Sequence, residues 1–196
     1  MTKKDSVKIE NIVASGKLEL ELDLEAVAED LKALEGIDEV EHSRKSGNRL
    51  LIYFSENDAL CILAPTTVYI FNGVDSFEKV ENAKQKLLTA LAELGIISSP
   101  NPPESQIAEP FEIRNMVCTG DVEQELNLEA ISISLGLEAV EYEPEQFPGL
   151  VYKHMDTGST ALLFSSGKVV ITGAADKKTS QEAFNSIKNK VTELLD

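Results

Sequence analysis

The sequence has no tryptophan, two cysteines and two histidines in 196 residues, and only 6% aromatic side chains. Cys61 and Cys118 sit in apolar, strand-like stretches with no metal-ligand spacing. Two such thiols exclude a disulfide framework and fit buried, reduced side chains in a reducing cytoplasm. His42 and His154 have no Cys or Asp at ligand spacing, and no P-loop or dinucleotide glycine pattern occurs. Ser165-Ser166-Gly167-Lys168 offers a serine without the G-x-S-x-G frame of a hydrolase nucleophile. These gaps point to a non-enzyme with no cofactor, no metal and no small-molecule substrate. No apolar run approaches the roughly 18 residues of a membrane span. The opening MTKKDSVK lacks the apolar stretch of a signal peptide, so a cytoplasmic protein without a membrane partner is expected.

Positive charge is also scarce. Lys and Arg number 18 against 34 Asp and Glu, a net charge of −16. Both halves share the excess: 11 against 18 in residues 1–98 and 7 against 16 in residues 99–196. Taken alone, this acid argues against a phosphate backbone as ligand.

What the sequence does contain, it contains twice. VKIENIVASGKLELELDLEAV (7–27) and FEIRNMVCTGDVEQELNLEAI (111–131) match at ten of 21 positions with an offset of 104, including Asn11/Asn115, Val13/Val117 and Gly16/Gly120. Two fused copies imply a pseudo-two-fold molecule suited to a ligand of near two-fold symmetry, of which duplex nucleic acid is the commonest.

Each half follows one plan. A strand opens it, at 7–15 and 111–119. A short helix follows, at 23–34 and 127–135, with Asp23 and Asn127 placed to cap it. Three strand-like runs come next, at 50–54, 61–64 and 67–71, matched by 150–154, 160–164 and 168–172. An amphipathic helix closes each half. Val80, Ala83, Leu87, Leu88, Leu91 and Leu94 mark the first; Ala183, Phe184, Ile187, Val191, Leu194 and Leu195 mark the second. The expected domains are a first repeat at 1–98, a proline-rich linker at 99–106 (SPNPPESQ) and a second repeat at 107–196. Strands with helices segregated to one side give an α+β class with antiparallel sheets. Joined edge to edge, they would form one continuous curved sheet, a saddle with its helices on the convex face and its concave face open.

From Tyr142-Glu-Pro-Glu-Gln-Phe-Pro-Gly-Leu-Val-Tyr152 through Ala161-Leu-Leu-Phe-Ser-Ser-Gly-Lys-Val-Val-Ile-Thr-Gly173, with the opening Ile113-Arg-Asn115-Met-Val117, the chain resembles the TATA-box-binding protein family in its archaeal form. The resemblance spans almost the whole chain, closely in the second repeat and loosely between Arg44 and Gly73. It implies a transcription initiation factor that binds the minor groove of A·T-rich promoter DNA, bends it and recruits a B-type transcription initiation factor. The family is itself the standing example of such bending, so the roughly 80° kink and the wedge mechanism belong to that example and are not read from this chain.

Residue by residue, the resemblance implies base-edge contacts from Asn11 and Asn115, flanked by Val13 and Val117. It implies wedges from Phe147 and Phe164, 17 residues apart. Leu162, Val170 and Thr172 match groove-facing positions, Lys153 and Lys168 match phosphate contacts, and Glu143 and Glu145 match the partner contact. Gln146 stands where the family has Leu.

The first repeat departs. At an offset of 100, Phe147 corresponds to Gly47 and Phe164 to Ala64, while Lys153 and Lys168 become Tyr53 and Val68. A shift of this register would bring Tyr53, Phe54 or Phe71 into play instead. Two lost phosphate contacts should flatten the salt dependence of binding by about two units. The acid then belongs to the helices and outer face, with the concave face near neutral. Two other readings stand beside this one: a divergent paralogue that bends DNA weakly and regulates through the partner contact, and a duplicated sheet module that binds no DNA.

Overall fold

Alternation of apolar and polar residues along each strand buries one face of a sheet and leaves the other half-exposed. A computed structural model of the chain shows this pattern in residues 6–45, 47–55, 57–136 and 138–194, without the side chains of 57 and 58. Two compact units result. One holds residues 11–114; the other holds residues 115–194 together with 6–10.

In the first unit the elements are β1 (Lys8–Leu18, largely in this unit), α1 (Leu24–Lys32), β2 (Ile37–Ser43), β3 (Arg49–Phe54), β4 (Asn57–Leu63), β5 (Val68–Val74) and α2 (Phe77–Glu93). Its strands lie in the antiparallel order β2-β3-β4-β5-β1. The second unit repeats them as β6 (Ile107–Asp121, C-terminal half), α3 (Leu128–Leu135), β7 (Val140–Glu141), β8 (Leu150–Lys153), β9 (Thr160–Leu163), β10 (Lys168–Ala174) and α4 (Lys177–Glu193), in the order β7-β8-β9-β10-β6. The α+β class and the antiparallel pairing are as the sequence leads one to expect. Strands β2 and β7 were not anticipated. No helix among the described residues is long and apolar enough to cross a membrane.

Strand pairing fixes the alignment of the repeats. Leu50 pairs with Leu63 as Leu150 pairs with Leu163, and Leu63 with Tyr69 as Leu163 with Val169. Ala14 pairs with Phe71 as Cys118 pairs with Ile171. The offsets of 100 and 104 therefore hold in three dimensions. Phe54 and Phe71 are buried, 6.1 Å apart in the core, so neither ring of the first repeat reaches the open face.

Both short helices are capped as the sequence indicates. Asp23 Oδ1 accepts from the Glu25 and Ala26 N–H groups, and Asn127 Oδ1 accepts from Ala130. Such caps contribute about 1 kcal/mol each. Ser76 caps α2 and Asp176 caps α4. Accepting the Thr179 N–H holds the Asp176 carboxyl below its usual range. The α4 row Ala183, Phe184, Ile187 and Val191 is buried; Leu195 lies outside the described residues. Residues 98–106 belong to the first unit, where the Gln106 carbonyl accepts from Glu19 N–H and Gln106 Oε1 accepts from the Ser98 hydroxyl.

The two cores are filled by a compensated exchange. Tyr69 and Lys84 in the first repeat stand where the second has Val169 and Phe184. A Cβ on Gly16 would lie 2.4 Å from the Tyr69 Oη, and one on Gly120 would lie 2.4 Å from Phe184 Cε2. The repeated glycine thus makes room for one ring in each core, supplied by a strand in one unit and by a helix in the other. Burial pushes the Tyr69 phenol up to about 12. Cys61 and Cys118 are free and buried, and burial raises both thiols above their ordinary value, which keeps them unreactive.

Candidate nucleic-acid interface

The open face of the second unit is built from alternate residues of four strands. β6 supplies Asn115 and Val117, β10 supplies Lys168, Val170 and Thr172, β9 supplies Leu162, and β8 supplies Lys153. Phe164 follows β9 directly, and Phe147 stands in the loop before β8. Their rings meet edge to face with centroids 5.9 Å apart, and Phe147 is 38% exposed. Gly149 makes this pair possible. A Cβ there would lie 2.7 Å from Phe147 Cε1 and 3.1 Å from Phe164 Cε1. All nine of these residues therefore share one face, and it is apolar at its middle and basic at Lys153 and Lys168.

In the first unit the same face carries Asn11 and Val13 from β1, with Ile62 and Ile70 retained as half-buried apolar residues. No phenylalanine stands on it.

The two asparagines are held alike. A bulge interrupts each ladder, between Ile12 and Ala14 in the pairing of β1 with β5 and between Ile171 and Ala174 in the pairing of β10 with β6. It frees the N–H of a glycine with positive φ, +89° at Gly73 and +81° at Gly173. Gly73 N–H donates to Asn11 Oδ1 at 2.9 Å, shared with Asn72 Oδ1 at 2.8 Å, and Gly173 N–H donates to Asn115 Oδ1 at 2.9 Å; Thr172 Oγ1 adds a second donor to Asn115 at 3.2 Å. An N–H donor must meet the amide oxygen, so the orientation of each amide follows from the bond. Each Nδ2 is left with no hydrogen-bond partner among the described residues. Both units thus present one fixed, unengaged NH2 donor on an apolar face.

Glu143 and Glu145 are exposed in the turn that leads to Phe147. The Glu143 carbonyl accepts from the Gln146 and Phe147 N–H groups, and the Gln146 amide donates to the Glu143 carboxylate. Gln146 therefore fastens the turn from within rather than offering an apolar contact.

The hairpin tips differ. In the second unit, pairing of β7 with β8 ends at Glu141 and Val151, which leaves residues 142–149 as an open loop. In the first unit, β2 and β3 pair two rungs further, through His42 with Leu50 and Ser43 with Arg49. The turn then closes through Gly47 at φ +92° and Asn48 at φ +46°. Sequence reasoning did not single out Gly149, Arg49, Gly73 or Gly173 as parts of the face. Gly73 and Gly173 match at the offset of 100, but their donated N–H groups depend on the bulge.

Comparison with known proteins places this duplicated sheet-and-helix chain in a class of transcription factors. The family described as transcription factor TFIID, or TATA-binding protein, matches residues 110–194. TATA-box-binding protein C of Halobacterium salinarum is 38% identical over 190 residues, covering 97% of this chain and 99% of that one. The TATA-box-binding protein of Haloarcula marismortui is 36% identical over 191 residues, covering 97% and 96%. The solved Methanococcus jannaschii TBP superposes with a TM-score of 0.75 at 33% identity, covering 96% of this chain and 99% of that one. This chain belongs to the TATA-box-binding protein family.

Proposed function

We propose that this chain is a promoter-recognition factor that lays both open faces on the minor groove of A·T-rich duplex DNA. The observation that supports this most directly is the pair of fixed amide donors. A·T and T·A pairs show only acceptors in that groove, adenine N3 and thymine O2, while G·C adds a donor. An NH2 whose oxygen is already engaged can donate to the first and is opposed by the second. Asn11 and Asn115 supply this discrimination, and Val13, Val117, Leu162, Val170 and Thr172 supply the surface around it.

Phe147 and Phe164 act as the wedge. Their rings stand together on the open face, and unstacking one base step costs a few kcal/mol that the contacts of the bent duplex offset. Lys153 and Lys168 hold phosphates, and Glu143 with Glu145 receives a B-type initiation factor. The site of action is then the cytoplasmic nucleoid. Because the first unit has no phenylalanine on its face, with Tyr53 its one β3 ring there, the bend is one-sided. This favours a specialised or competing regulator as the second reading.

The test is fluorescence-detected binding and bending of an end-labelled TATA duplex, with and without the initiation factor, at two salt concentrations. Tight, bent binding by the protein alone supports a working recognition factor. Binding only with the factor supports the regulator. Indifference to A·T-rich duplex at any salt removes both.

A further inference from the structure

The first repeat has replaced the wedge with a different device, and three positions changed together to build it. Phe147, Gly149 and Phe164 correspond to Gly47, Arg49 and Ala64. The ring pair is gone, the glycine that accommodated it is gone, and an arginine occupies its place. The two added rungs of the β2–β3 ladder put Arg49 inside a strand rather than in a loop. Within β3, Arg49, Leu51 and Tyr53 alternate with the buried Leu50, Ile52 and Phe54, so the Arg49 side chain belongs to the same open face as Ile62. Continuing the pairing of Leu50 with Leu63 by one residue sets Ala64 beside Arg49.

The charge around it is equally distinct. Residues 43–50 carry Arg44, Lys45 and Arg49 with no acid, whereas residues 143–150 carry Glu143 and Glu145 with no base. Arg44 is engaged by Glu25 at 2.8 Å. Arg49 and Lys45 form no ion pair or hydrogen bond with any described residue. In a chain of net charge −16, an unengaged guanidinium on a half-buried apolar face stands ready for an anion from outside. Its planar fork suits a phosphate better than a point charge would.

Resting on the DNA-binding reading above, we propose that Arg49, supported by Lys45, grips a backbone phosphate at the first-repeat end of the site, where the second repeat inserts rings. That end is held by charge and stays stacked; the other is held by wedges and kinks. The two ends of a near-palindromic A·T site then become distinguishable to the protein. It also restores one of the two phosphate contacts missing at Tyr53 and Val68, so the salt dependence is flattened by about one unit rather than two.

The experiment titrates the full chain, as wild type, Arg49→Ala, Arg49→Lys and Phe147→Ala/Phe164→Ala, against an A·T-rich duplex by fluorescence anisotropy over a series of salt concentrations. 2-Aminopurine placed at either end of the site reports unstacking. Wild type is expected to unstack one end only. Arg49→Ala should bind about tenfold more weakly at low salt, with a slope smaller by about one, unchanged unstacking and an unchanged melting temperature. Arg49→Lys should recover the slope. If the wild type binds, the double phenylalanine variant does not, and Arg49→Ala matches wild type in affinity and slope, the DNA reading survives and the Arg49 grip is overturned. Unstacking at both ends in the wild type also overturns it. If the wild type ignores the duplex altogether, the function and the grip fall together.

Discussion

Residues 142–149 and 44–48 close equivalent hairpins on equivalent ladders, yet only one of them remains a loop. In the second repeat the pairing stops at Glu141 and Val151, and the freed chain carries Phe147 up to Phe164 above Gly149. In the first the ladder closes over the same ground, turns through Gly47 and Asn48, and presents cations instead. Directly beneath the two tips the registers match, Val40 with Ile52 and Glu41 with Leu51 as Val140 with Tyr152 and Glu141 with Val151. A β-ladder is thus permissive at its end: adding two rungs converts a ring-bearing loop into a tight basic turn while the core keeps its pairing. The cores drift too, but by exchange, as Tyr69 with Lys84 against Val169 with Phe184 shows. The tips differ in rings and charge, while in each core a repeated glycine clears space for one ring, Tyr69 beside Gly16 and Phe184 beside Gly120.

The comparison breaks most readily at the rings. Phe147→Ala with Phe164→Ala should lower affinity for an A·T-rich duplex at least a hundredfold and abolish bending. Thermal unfolding should move little, because Phe147 is exposed and the pair lies outside the helix-facing core. A protein that unfolds instead would show the rings to be core and end the wedge argument.

The glycine exchange gives the next effect. Gly120→Ala forces a Cβ to within 2.4 Å of the fully buried Phe184, and overpacking of this kind costs about 1–3 kcal/mol. Gly16→Ala first meets the Oη at the far end of Tyr69, which lines a groove with Pro100 and Phe111, whereas Gly120→Ala meets the Phe184 ring. Denaturant melts should therefore rank Gly120→Ala as clearly less stable than Gly16→Ala. Equal losses would refute the idea that the two cores are filled from different directions.

Much of this was legible in the sequence, and the gaps have physical causes. The repeat, both caps, the closing helices and eight of the ten strands follow from local pattern. Strand β2 (IDEVEHS) was invisible because only Val40 is buried in it; as an edge strand it needs no apolar alternation. β7 is two residues long. The loss of rings at Gly47 and Ala64 was readable by alignment, but the closing of the turn was not, since it depends on two backbone angles and two extra rungs. The amide orientation of Asn11 and Asn115 likewise rests on a glycine 62 or 58 residues further along the chain, which leaves no local signature.

Trying to rebuild the second tip on the first tests how deep that difference runs. Gly47→Phe with Ala64→Phe restores both rings in sequence. Yet position 47 has φ +92°, where a bulky side chain costs roughly 1–3 kcal/mol, and Arg49 still occupies the place that Gly149 clears. The variant should lose about that much stability and gain no second kink in a 2-aminopurine assay. A second kink would mean that sequence at two positions, and not the closed ladder, decides which tip is a wedge.

The smallest effect concerns one matched pair of core positions. Phe54 and His154 are equivalent, and both are buried. Phe54 packs on Phe71, whereas His154 packs on Tyr152 at 5.7 Å and takes a hydrogen bond at Nδ1 with Thr157, leaving Nε2 without a partner among the described residues. Burial pushes the imidazole below its ordinary value; Asp156 opposes this and Lys190 adds to it. A histidine depressed in the folded state binds fewer protons there than in the unfolded chain, so stability rises with pH and is fully present only above the unfolded pKa of about 6.5. Between pH 7.5 and pH 5 the melting temperature of the wild type should therefore fall further than that of His154→Phe, which makes the second repeat like the first at this rung. Parallel curves for the two proteins would show that the imidazole titrates alike in the folded and unfolded chains and that the two positions differ in shape alone.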